Sequence, residues 1–112
     1  MHQRGNFLRT FLLGFLLTLN FTTTHGASFP CSKASTKVEK LICSNPRLSL
    51  MDEEMADRYR AALSNADSPM LVKREQREWL NGDRNTCRSE KCLLIAYAIR
   101  LETLGAESNA GS

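Results

Sequence analysis

Apolar residues recur every three or four positions in four stretches of the chain, and no useful length alternates in the two-residue rhythm of a strand. Residues 35–43 predict a short first helix, with Ser35 as its N-cap and Val38, Leu41 and Ile42 on one side. Asn45-Pro46 restarts the chain, Asn45 capping and Pro46 taking the first helical position, where a missing N–H is no loss. Leu48, Met51, Met55, Tyr59 and Ala62/Leu63 then mark the inner stripe of a second helix that ends near residues 64–67. Ser68-Pro69 opens a third by the same device, with Val72, Gln76, Trp79 and Leu80 along one face. Gly82 predicts a weakening or stop, and residues 81–89 read mainly as a turn. The last helix begins at Ser89 or Glu90, runs through residues 92–104 and stops at Gly105, a residue suited to a left-handed end. The expected architecture is all-α: a small bundle of about four helices spanning residues 29–105, then a flexible tail, 106–112.

Between Cys92 and Leu101 only Arg100 is charged. A helix apolar on most sides is buried among neighbours, so this one is expected at the centre of the bundle. Arg100 must then snorkel out or meet an acid, and Asp52 and Glu39 are the first partners to test.

The N-terminus has a different character. Residues 1–9 are short and basic, and 11–21 form an apolar run about half the ~20 residues that a membrane span needs. Small and polar residues follow, so residues 1–26 read as a secretory signal peptide, cut after Gly26 or after Ala27. Both histidines, His2 and His25, would leave with it. A mature chain without imidazole excludes Ser-His-Asp and Cys-His catalysis and histidine metal sites. The leader also holds Arg4 and Arg9, which account for most of the excess of 15 Lys+Arg over 12 Asp+Glu. The near-neutral remainder speaks against a nucleic-acid partner.

Export makes the four cysteines, Cys31, Cys43, Cys87 and Cys92, an even set in an oxidising space, hence two disulfides. Eleven residues inside the first pair and four inside the second do not suit a four-thiolate zinc site. Of three connectivities, chain entropy slightly prefers a long Cys31–Cys92 link (~4 kcal/mol) over local loops (~3 and ~2 kcal/mol). Short-range geometry favours Cys31–Cys43 with Cys87–Cys92.

The motifs together resemble the LprI-type lysozyme inhibitor family. Cys31-Ser32-Lys33-Ala34 runs to Glu39-Lys40-Leu41-Ile42-Cys43, followed by Pro46-x-Leu48-x-x-Met51-Asp52. Gln76-Arg77-x-Trp79-Leu80, Arg84-Asn85-x-Cys87 and Cys92-Leu93-x-x-x-Tyr97-x-x-Arg100 complete the pattern. The resemblance implies a small secreted helical domain that binds lysozyme without catalysis or cofactor. The family's lead member is a lipoprotein. Here Ser28-Phe29-Pro30 before Cys31 lacks the small residue a lipid attachment signal wants, so a periplasmic or secreted soluble form is expected.

Binding candidates fall in three groups. Glu53 and Glu54 are the exposed acids of a patch with Asp52 and Asp57, with Asp52 facing inward; they would steer a basic enzyme, or simply complement a helix dipole. Lys73 and Arg77, with Arg74, form a basic face on the third helix that could engage the two carboxylates of a lysozyme cleft, or pair with Glu75 and Glu78. Arg84 and Asn85 lie in the cysteine-bounded turn, as a protruding contact or, for Arg84, a cap on helix-end carbonyls. Asp52, Trp79, Tyr97 and Arg100 are assigned to structure, with Gln76 tying a backbone group. The expected function is inhibition of a muramidase by cleft occupancy. The alternative is an envelope or peptidoglycan-associated adaptor, or an immunity-type module, without that effect.

Overall fold

The computed structural model describes residues 27–110, so the expected signal peptide, 1–26, lies outside the described residues. Four helices follow one another: α1 (Lys37–Ser44), α2 (Pro46–Asn65), α3 (Pro69–Trp79) and α4 (Glu90–Ala110). A 3-10 turn, Cys31–Lys33, precedes α1. No strand occurs among the described residues. Both local disulfides are present, Cys31–Cys43 and Cys87–Cys92, with Cα separations of 5.7 and 5.5 Å.

The helix starts follow their capping residues. Asn45 Oδ1 accepts from the amides of Arg47 and Leu48, and the Ser68 hydroxyl accepts from Leu71. The first cap is displaced by one residue from Ser35. Thr36 accepts from the Glu39 amide while the Glu39 carboxylate accepts from the Thr36 amide, a reciprocal box that satisfies two orphan donors. The Thr36 amide, foremost among its donors, holds the Glu39 carboxyl below its ordinary range.

Where a turn was expected after Trp79, the helix widens instead. Residues Leu80–Arg84 continue it as a π-helical turn through Gly82, and Asn85 donates its amide to the Leu80 carbonyl at 2.9 Å. At the other end, α4 passes straight through Gly105 to Ala110, so most of the expected tail is helical. Among the described residues no glycine adopts a positive φ. The reason lies in packing: Leu101 and Leu104 are buried, and Glu107 reaches back to Arg100 on the same helix. A continuous helix keeps these contacts in phase; a left-handed stop would break them.

The core joins all four helices through Ile42, Leu48, Met55, Val72, Trp79, Leu93, Tyr97 and Leu104. The α2–α4 interface is the most extensive. The Ser49 hydroxyl donates to the Ile42 carbonyl at 2.7 Å and fixes α2 against α1. Trp79 packs edge-on against Tyr97, centroids 5.1 Å apart, and its indole N–H donates to the Ala96 carbonyl at 3.2 Å. One expectation fails here: α4 is not enclosed on all sides. Ile95 is 53% exposed and Ile99 61%, because no element among the described residues covers that flank.

Gly105 occupies a helix interior, where glycine costs about 0.8–1.0 kcal/mol relative to alanine. A Cβ there would meet only Arg58 Nη1, at an ordinary 3.6 Å. Gly105→Ala is therefore expected to stabilise the fold by about 0.8 kcal/mol, read as a higher urea midpoint with unchanged slope.

Candidate functional site

Two buried polar clusters organise the surface around them. The first centres on Asp52, which has no exposed surface. Its Oδ1 accepts the Tyr97 hydroxyl at 2.6 Å, and Oδ2 accepts both the amide and the hydroxyl of Ser28, at 2.8 and 2.5 Å. Arg84 Nη1 stands 3.9 Å from Oδ1. Burial, reinforced by the neighbouring Asp52 carboxylate and opposed by Arg84, pushes the Tyr97 hydroxyl upward, so it remains a protonated donor.

The second cluster links α3 to α4. Arg100 is 4% exposed, yet neither Asp52 nor Glu39 is its partner. Its Nε donates to Gln76 Oε1 at 2.9 Å, and Nη1 lies 3.7 Å from Glu107 Oε1. Gln76 spends its own amide on Met55 Sδ at 3.1 Å, so it ties side chains rather than a backbone group. Both expected acids sit elsewhere, Asp52 in its own network and Glu39 in the α1 capping box. Burial, then a shared hydrogen bond with Glu75, raises the Glu107 carboxyl to about 7, although Arg100 pulls the other way. Arg100 Nη2 and Glu107 Oε2 are buried without a hydrogen-bond partner among the described residues.

The surface candidates separate. Lys73 and Arg77 stand exposed one turn apart on α3, neither in an ion pair among the described residues, while Arg74 lies 3.9 Å from Glu78. Glu54 is exposed but pairs with Arg58 at 2.6 Å. Glu53, expected to be exposed, is half-buried beside Ala27, which packs over that part of α2. Arg84 neither protrudes nor caps carbonyls: its side chain is 16% exposed and its Nε donates to Asn85 Oδ1 at 3.0 Å. The π turn carries it inward to Asp52. Asn85 is exposed and, with Arg84, borders a hollow against Thr36, Val38 and Glu39.

Sequence reasoning missed an apolar hollow at the α3–α4 junction. Ile95, Ile99, Trp79 and the Cys87–Cys92 bridge line it, with Asp83 at its edge. Its only signal was the unbroken apolar run 93–99, which reads equally as core. Among the described residues no group of three or more His, Cys, Asp or Glu side chains is placed to hold a metal ion, and no helix is long and apolar enough to cross a membrane.

A family model described as "Lysozyme inhibitor LprI" matches residues 31–108, most of the chain. No curated protein and no solved structure matches.

Both buried clusters generate measurable expectations. Tyr97→Phe removes a hydrogen bond to a buried carboxylate and is expected to cost about 2 kcal/mol in urea unfolding. For Glu107, the folded state keeps a proton that the unfolded chain releases between its ordinary 4.5 and about 7. Its contribution to stability therefore falls as pH rises through that window. Glu107→Gln, neutral throughout, should raise stability near pH 8 by about 1 kcal/mol, solvent at the rim screening the rest, and change little near pH 4. Paired thermal melts at the two pH values check this.

Proposed function

We propose that the chain, which belongs to the LprI lysozyme inhibitor family, inhibits a lysozyme-type muramidase by occupying its active-site cleft, through binding alone. The family match over residues 31–108 carries this reading. The two disulfides fit an extracytoplasmic protein, and we place it in the periplasm or outside the cell.

Lys73 and Arg77 are the contacts we assign to the cleft. Side chains one helical turn apart have Cβ atoms about 5–6 Å apart. The two carboxylates of a retaining glycosidase are about 5–5.5 Å apart. A cation set against the general acid favours its ionised form, which cannot protonate the leaving oxygen. The acidic face offers less, because Glu54 already pairs with Arg58 and Asp57 with Arg60. A second reading draws on the apolar hollow at Ile95 and Ile99: an envelope or peptidoglycan-associated adaptor, or an immunity-type module, indifferent to lysozyme.

Oxidised protein mixed with C-, G- and I-type lysozymes, with cell-wall lysis followed by turbidity, tests the proposal. Inhibition of at least one class at micromolar concentration is expected. Lys73→Glu with Arg77→Glu should weaken it tenfold or more, since each lost charge-assisted contact is worth about 1.5–3 kcal/mol. Undiminished lysis in all three classes sinks the proposal, and co-sedimentation with peptidoglycan would then favour the adaptor.

A further inference from the structure

The first described residues are packed into the fold. Ala27 is 5% exposed and belongs to the core, and Phe29 packs half-buried against it. Ser28, between them, gives both its amide and its hydroxyl to Asp52. Ala27 and Ser28 line a hollow on α2 together with Glu53, Ala56, Asp57 and Arg60. Arg60 is already paired with Asp57. Glu53 makes no ion pair and no side-chain hydrogen bond among the described residues, although it is half-buried. A carboxylate in that position lacks a cation, and a neutral peptide nitrogen on Ala27 does not supply one.

We infer that this hollow is the seat of the chain's own α-ammonium, created when a leader peptidase hydrolyses the Gly26–Ala27 peptide bond. Water adds across that bond: the C–N bond breaks, Gly26 leaves as a carboxylate and Ala27 as an ammonium, with no net change in protons. The packing also chooses between the two cleavage positions that the sequence leaves open. A cut after Ala27 would discard a methyl group that the core buries; a cut after Gly26 keeps it and sets the new charge beside Glu53 and Asp57. Glu53 thereby becomes an internal anchor, and the α-ammonium at the rim and the Ser28 amide at Asp52 hold the first two mature residues down together.

The full chain, expressed with its own leader and exported by a bacterial host, provides the test. Intact mass and N-terminal sequencing of the oxidised product should show a chain beginning at Ala27. The α-amino group, titrated by pH-dependent reductive methylation with labelled formaldehyde, should ionise above its ordinary range of about 7.7–8.0, because carboxylates favour the charged form. Glu53→Gln should return it most of the way while leaving the Asp52 bonds intact. A product beginning at Ser28 or retaining the leader overturns the inference. So does an α-amino group that titrates in the ordinary range, or one that Glu53→Gln does not move. None of these readouts depends on whether a lysozyme is inhibited.

Discussion

A carboxyl group with no access to water must have its oxygens met by hydrogen-bond donors, or its burial works against the fold. Asp52 meets that demand with donors far apart in sequence, Ser28 ahead of the first helix and Tyr97 on α4, while Arg84 at the end of the π turn sets a positive charge 3.9 Å away. Each donor is placed by a different piece of local structure, so the network forms only when all of those pieces are in position at once. Hydrophobic burial draws the helices together without fixing their register. The Asp52 cluster fixes it. Gln76 plays a comparable part between Met55 and Arg100.

The helix starts were legible in the sequence because their determinants are local. Asn45 before Pro46 and Ser68 before Pro69 offer a side-chain acceptor where amides are orphaned, and proline where none is needed. Ser35 and Thr36 are chemically alike, and only the reach of Glu39 decides between them. The ends were less legible, since they depend on partners supplied by other elements. Gly105 looks like a stop in isolation, and the pull of Leu104 and Glu107 toward the bundle overrides it. Gly82 looks like the onset of a turn, yet the chain stays helical there by widening.

Legibility at the surface followed the same division. Lys73 and Arg77 were readable as exposed cations because α3 has a clear apolar side, which puts the opposite side in water. Arg84 was not, because one wide turn rotates everything after it. Nor was Glu53, whose exposure is set by residues 27–28, beyond any helical periodicity. The partners of Arg100 were missed because they arrive from α3 and from the last turns of α4, a region whose polar composition suggested no structure at all.

The two cross-links lie at the corners of the bundle. One closes a loop around the 3-10 turn and α1, with a sequence separation of 12; the other bridges the α3–α4 connection, with a separation of 5. Neither fastens one end of the domain to the other. Under tension applied at its termini, the oxidised chain would still pay out most of its contour length once side-chain packing gave way, with the two closed loops held back. Resistance to being pulled apart therefore resides in the interlocked helices, and the covalent bonds guard the places where the path of the backbone changes direction.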